Sequence, residues 1–179
     1  MPAARLVGLQ YCLKGADRFK EKVQEDHEAM PSRSVDEIAR QIPDAVRYTY
    51  QLETSRYVDG YWDLCERVKQ QGNEMVSSRN FWSSTQYKGI NTRWRAASGQ
   101  LFEIQAHTQE SFEAKQLTHG AYERIRSSPP DGAERLELYA FQAEVSTKVP
   151  VPDGAHSIPD YYEDERKRYG REVHVLRDH

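Results

Sequence analysis

Cysteine is nearly absent from this chain. Its two cysteines, Cys12 and Cys65, lie far apart and lack a CxxC or other metal-ligand spacing, which excludes a disulfide framework and fits a reducing compartment. Long hydrophobic runs are missing too. No stretch approaches the roughly twenty apolar residues of a membrane span, and residues 1–10 lack the apolar core and cleavage pattern of a secretion signal. The expectation is a cytoplasmic chain with no membrane partner. Positive charge is not in excess: with a net charge of −3, no global field recruits nucleic acid or an anionic surface, so any phosphate binding must come from local clusters. Internal repeats and low-complexity tracts are also lacking.

What is present points to one folded unit. Eleven Tyr, five Phe and three Trp exceed what disordered chains carry, and 37% hydrophobic residues over 179 positions suffice for a single core. Hydrophobic spacing predicts a helix from about Ala16 to Ala29, with Phe19 and Val23 four apart. Ser34 and Glu37 form a capping-box pattern that opens a second, short helix. From Asp44 to Glu53 the period becomes two: Val46, Tyr48, Tyr50 and Leu52 alternate with Arg47, Thr49 and Gln51, as in a half-buried strand. Tyr61, Leu64, Cys65 and Val68 return to helical spacing, with Gly72 as the stop.

Two alternating runs follow, Ile90 to Ala96 and Phe102 to His107, joined by a turn at Ala97–Gln100 that suits a hairpin. Thr108 caps a helix to about Arg126, with Phe112, Leu117, Ala121 and Ile125 facing inward. Ser127 to Gly132 reads as a loop, Leu136 through Val149 as one further strand, and Pro159 to His179 as a charged surface helix and tail. The order implies an α/β (α+β) layer fold, a mixed β-sheet flanked by helices. A single domain over 1–150 and a charged C-terminal extension over 151–179 is the expected organisation.

Three strand faces carry functional groups in rows: Arg47, Thr49 and Gln51; Asn91, Arg93 and Arg95; and Glu103, Gln105 and His107. A hairpin sets the last two rows side by side. A solvated sheet face would give the same pattern. Lys14, Arg18 and Lys22, at i, i+4 and i+8, form a basic stripe along the first helix and its entry turn; such a stripe can grip a triphosphate, or be a solvated edge balanced by Glu21 and Glu25. Asp44 and Glu103, with cations around them, suit a magnesium–phosphate site, because Mg2+ takes one or two carboxylates plus phosphate oxygens and water. Each also reads as an ordinary turn or exposed strand residue. Tyr87, just before the hairpin, can stack a nucleobase or be a core tyrosine with its hydroxyl in solvent.

Taken in order, these pieces resemble the synthetase domain of the RelA/SpoT family. The strand segment Phe102-Glu103-Ile104-Gln105-Ala106-His107-Thr108 is similar to the family's motif of Glu, apolar, Gln, then a basic residue and Thr. Tyr87-Lys88-Gly89-Ile90-Asn91-Thr92 resembles the segment with the acceptor-stacking tyrosine, Asp44-Ala45-Val46-Arg47 the strand with the metal-binding aspartate, and Leu13 to Val23 the ATP-binding helix. The likeness spans about Leu13 to Arg126. It departs at Cys12, where the family usually has arginine, at Arg18 for serine, at Asn91 for histidine, and in a short loop before Tyr87. Asn80-Phe81-Trp82 and the stretch from Val149 to Ala155 look like the toxin and effector branch.

The resemblance implies a nucleotidyltransferase-like synthetase fold and an ATP-dependent nucleotide pyrophosphokinase. Lys14, Arg18, Lys22 and Arg47 would hold the phosphates of ATP, the pyrophosphate donor. Asp44 and Glu103 would be catalytic and bind Mg2+. Tyr87, Asn91, Gln105 and His107 would meet a purine-nucleotide acceptor, giving a (p)ppApp- or (p)ppGpp-type product. A growth-inhibiting toxin with an antitoxin or immunity protein as partner is implied, delivered to a bacterial cytoplasm or made there. Transfer to the 3′ end of tRNA is one alternative, and an inactive nucleotide-binding module another.

Overall fold

Period-two segments assemble into one sheet. The computed structural model describes residues 4–127 and 131–163. Its strands are β1 (Ala4–Val7), β2 (Arg47–Leu52), β3 (Glu74–Asn80), β4 (Ile90–Arg95), β5 (Leu101–His107) and β6 (Tyr161–Tyr162), in the order β1-β2-β5-β4-β3-β6. β2 and β5 run parallel and every other pair antiparallel, so the sheet is mixed, as expected. Helices α1 (Ala16–Ala29), α2 (Val35–Arg40), α3 (Tyr57–Gln70), α4 (Gln109–Ser127) and α5 (Gly132–Thr147) complete it. The capping box at Ser34 forms, with the Glu37 amide donating to Ser34 Oγ and the Ser34 amide to the Glu37 carboxylate. The hairpin turn also forms, closed by the Gly99 amide on the Ala96 carbonyl, with Gly99 at φ +85°.

The core lies between the sheet and α3. Tyr57, Tyr61, Leu64 and Cys65 of α3 pack against Leu52, Ile90, Trp94, Ile104 and Ala106. Val149, Ala155 and Ile158 complete this core from beyond α5. Asn80 fixes that return segment: its amide nitrogen donates to the carbonyls of Ala155 and Ile158 at 2.8 and 2.7 Å.

Several expectations are corrected. Leu136 through Val149 is not a strand. Asp131 caps a helix by accepting from the Glu134 amide at 2.9 Å, and the Glu, Leu, Ala and Gln residues that follow are strong helix formers, so α5 forms despite the alternating look. The strand expected from Asp44 begins later, because Pro43–Ala45 is a turn of 3-10 helix. Leu117 of α4 is 65% exposed, not inward. Strands β1, β3 and β6 were not expected. β3 escapes a period-two reading because its register shifts between Met75 and Ser77 and because Ser78, buried against the Tyr61 hydroxyl, is polar. Within the expected charged tail, Tyr161–Tyr162 is a short strand beside β3; the helix expected beyond it, and most of the loop before Gly132, lie outside the described residues.

Candidate active site

Strand register gathers the expected polar residues on the sheet face opposite α3. Arg47 pairs with Glu103 and Glu103 with Arg93, while Thr49 pairs with Gln105 and Gln105 with Asn91. Two parallel rows of functional side chains therefore cross three adjacent strands. The face is not a solvated one: Glu103, Gln105 and His107 are 9%, 5% and 0% exposed. Burial of that much polarity requires partners. The Gln105 amide donates to Glu103 Oε1 at 2.5 Å, and Arg47 Nε lies 3.4 Å from the same oxygen.

Asp44 sits at the end of this face, delivered by the 3-10 turn before β2. The chain just ahead of α1 is stitched to it: the Arg47 amide donates to the Cys12 carbonyl and the Lys14 amide to the Ala45 carbonyl. Lys14 Nζ thus reaches Asp44 Oδ2 at 2.6 Å, and Arg47 Nη2 approaches the same oxygen at 3.6 Å. One guanidinium links the two carboxylates. Burial works against the Asp44 carboxylate, but the Lys14 hydrogen bond and the charges of Lys14, Arg47 and Arg126 outweigh it and hold its carboxyl below the usual range. The basic stripe itself is divided. Arg18 pairs with Glu123 of α4 at 2.9 Å, and Lys22 pairs with Asp26 at 2.8 Å, while still within the field of Asp44.

Tyr87 closes the other end. Its hydroxyl donates to Asn91 Oδ1 at 2.7 Å and lies 2.9 Å from His107 Nε2, whose Nδ1 is 2.9 Å from Ser111 Oγ. With Tyr87 donating to Asn91, the chain of bonds closes when His107 carries its proton on Nε2. Phe81 and His107 meet the Tyr87 ring edge-on at 5.4 and 5.3 Å. Burial and Lys115 push the His107 imidazole well below its usual range, so it is neutral at pH 7. His107 lies beneath Tyr87 rather than on the open surface. Gly89, at φ +145°, permits this: a Cβ there would come within 3.0 Å of the Ala106 carbonyl and the His107 ring.

Two cations of this neighbourhood were not singled out in the sequence. Arg126 adds to the field on Asp44. Lys115 projects from α4 over the sheet, its Nζ donating to Gln105 Oε1 at 2.5 Å. Burial, then Arg47, lowers the Lys115 ammonium to about 8, against the pull of Glu103. The signal that finds Lys115 is the polar stripe Ser111, Lys115 and Thr118 at helical spacing. Ser111 and Thr118 are buried, so α4 offers polar residues where a core helix offers apolar ones.

None of this chemistry lines the 440 Å³ cavity on the α3 side of the sheet, between Tyr48, Tyr50, Leu64, Val68, Phe102 and Ile104. The half-buried ionic network, not the cavity, marks the candidate site. Among the described residues no cluster of three or more His, Cys, Asp or Glu could hold a metal, and no helix is long and apolar enough to cross a membrane. Two carboxylates joined through one arginine and flanked by cations nevertheless fit Mg2+ bound with phosphate, which needs no all-protein cage.

No protein-family model matches the chain, and none of the curated proteins matches it by sequence. Solved structures do match in fold. Small alarmone synthetase 1 from Bacillus subtilis, bound to its product pppGpp, superposes with a TM-score of 0.52 at 16% identity, over 80% of this chain and 72% of that one. A GTP pyrophosphokinase family protein from Streptococcus pneumoniae gives 0.52 at 12% identity, over 83% and 72%. The Type VI effector Tas1, solved in complex with its immunity protein, gives 0.51 at 17% identity, over 83% and 84%. At such identities the likeness is one of fold, and the fold is that of the alarmone synthetases.

Proposed function

We propose that this chain transfers pyrophosphate from ATP to the 3′-hydroxyl of a purine nucleotide. The observation that carries this reading is the ionic chain Lys14–Asp44–Arg47–Glu103, which joins two carboxylates and two cations on one sheet face. Its position supports the reading, because Tyr87 stands at the far end of the same face, along a strand register that runs from Glu103 through Gln105 to Asn91.

In this reading Lys14 and Arg47 hold donor phosphates, with Arg18 and Lys22 turning from Glu123 and Asp26 toward them. Asp44 and Glu103 hold Mg2+, which when bound neutralises phosphate charge. The acceptor base stacks on Tyr87, whose ring is steadied from below by His107 and at its hydroxyl by Asn91. The acceptor's 3′-oxygen attacks the β-phosphorus of ATP. A new O–P bond forms, the bond from the β-phosphorus to the α,β-bridging oxygen breaks, and AMP leaves with that electron pair. Glu103 receives the hydroxyl proton. Positioning and charge neutralisation supply most of the acceleration.

The likeness to Tas1 supports a toxin role, with an immunity or antitoxin protein as partner. One observation favours the tRNA 3′ end as a second reading of the acceptor. Arg79 and Arg93 are exposed on β3 and β4, in register with Asn91 and Glu103, and among the described residues neither is in a salt bridge, which leaves cationic surface for phosphates beyond those of the donor.

The test is direct. Purified protein, γ-labelled ATP and Mg2+ are incubated with ADP, ATP, GDP, GTP or deacylated tRNA in separate tubes. A labelled product with matching AMP release is expected, and the productive tube names the acceptor. No product in any tube from folded protein that still binds ATP would instead identify a nucleotide-binding module.

A further inference from the structure

His107 occupies the place in the strand motif where the resembled family has its basic residue, yet it carries no charge into the cleft. It is fully buried and neutral, and both ring nitrogens are spent on Tyr87 and Ser111. Charge reaches this stretch of strand from another element. Lys115 of α4 donates to Gln105 Oε1, and the Gln105 amide donates on to Glu103 Oε1, so an ammonium, a carboxamide and a carboxylate form one relay.

An ammonium has three N–H donors. Among the described residues, Lys115 Nζ has the Gln105 oxygen as its hydrogen-bond partner and the Phe112 ring 5.8 Å away, with no carboxylate in salt-bridge contact. Burial and the nearby Arg47 guanidinium both oppose the charge. A phosphate reverses that balance, since two cations joined to one carboxylate, Arg47 directly and Lys115 through Gln105, complement a polyanion.

We propose, resting on the pyrophosphate-transfer reading above, that Lys115 is a phosphate-binding residue of this site: together with Arg47 it contacts non-bridging oxygens of the pyrophosphate in transit. It supplies the charge that His107 does not. The competing role is structural, in which Lys115 only pins α4 to β5 through Gln105. The two roles make different demands on the side chain. A structural pin needs a donor for Gln105; a phosphate ligand needs charge.

Calorimetric binding of Mg2+–ATP to wild type, Lys115→Met, Lys115→Gln and Lys115→Arg separates them, together with labelled-ATP transfer and a thermal melt of each. Expected are affinities about tenfold to a hundredfold weaker for the Met and Gln variants, the range of a charge-assisted hydrogen bond, and near wild-type binding for Arg. A Gln variant that binds as well as wild type while Arg does not would overturn the proposal in favour of the pin. If wild type binds and transfers but Lys115→Met is unchanged, the proposal fails and the functional reading stands. If wild type does not bind Mg2+–ATP, both fall. Should Lys115→Met fail to fold, the Gln and Arg pair decides alone.

Discussion

On the α3 side of the sheet, Ile90, Trp94, Ile104 and Ala106 are between 0% and 4% exposed and touch the aromatic and aliphatic side of α3. On the α4 side the alternate residues of the same strands are nearly as buried at Glu103, Gln105 and His107, but there they meet Arg47, Lys115 and the Tyr87 hydroxyl. Burial is similar; chemistry is opposite. Burying apolar surface yields about 25 cal/mol per Å², whereas burying charge costs free energy unless it is paired. The difference teaches that one face holds the fold together and the other is held by it, keeping its polarity buried at a cost in stability that the proposed phosphate ligand would offset. Such a division can be broken by substitutions that separate the two properties.

The largest effect is expected at Glu103. Glu103→Gln keeps shape and the contact with Gln105 but removes the charge, so transfer should fall by about 10²–10³-fold or more. The fold should survive, because Arg47 keeps Asp44 as a partner at 3.6 Å. A labelled-ATP assay and a thermal melt together check this: activity lost with the midpoint within a few degrees supports the division, and an active variant removes Glu103 from the site. Its counterpart on the other face is Trp94→Ala. Trp94 is 1% exposed, and its indole donates to Thr92 Oγ1 at 2.7 Å. Its loss should cost about 3–5 kcal/mol in denaturant unfolding, the usual range for a buried aromatic, with any remaining folded protein retaining its affinity for ATP.

These two residues also mark how far the sequence could be read. The faces of β2, β4 and β5 were legible because strict alternation runs through all three, and the pairing of β4 with β5 followed from one hairpin, whereas the parallel pairing of β2 with β5 is seen only in the fold. β3 was not legible: its bulge breaks the period, and Ser78 is buried for a hydrogen bond to Tyr61 that no local pattern announces. α5 failed in the opposite way, since Leu136, Leu138 and Ala140 alternate like a strand while the helix cap at Asp131 and local propensity decide otherwise. At the site, Asp44, Arg47, Glu103 and Tyr87 could be found from motif order. Lys115 could not be found from motif order: hydrophobic spacing pointed to an apolar inward face for α4, and the polar stripe of Ser111, Lys115 and Thr118 that marks it takes its meaning from the polar sheet beneath.

A smaller effect is expected at Tyr87, at the far end of the polar face, whose hydroxyl is tied into the buried network and whose ring the proposed function gives to the acceptor base. Tyr87→Ala should raise the acceptor's KM about tenfold or more, in line with about 1–3 kcal/mol for base stacking, and leave that of ATP nearly unchanged. Steady-state kinetics with each substrate varied in turn measure the split. An equal effect on both would end the assignment of Tyr87 to the acceptor.

The smallest effect reads the cost of the polar face directly, through Lys115. Its ammonium titrates at about 8 in the folded chain against an ordinary lysine value of 10.5, with burial the main cause. Between those values the unfolded chain binds more protons than the folded one, so the contribution of Lys115 to stability rises as pH increases from 8 to 10.5. Below that window the full penalty of keeping the charge is present, and above it the penalty is gone. Other tyrosines and lysines titrate over the same range, so the informative quantity is the difference between wild type and Lys115→Met, in which they cancel. That difference in melting midpoint should shift toward wild type as pH is raised from 7 to 10. A flat difference would mean that Lys115 is as well solvated as a surface lysine. The α4 face would then hold its charges without strain, and the contrast between the two faces would lie in composition alone.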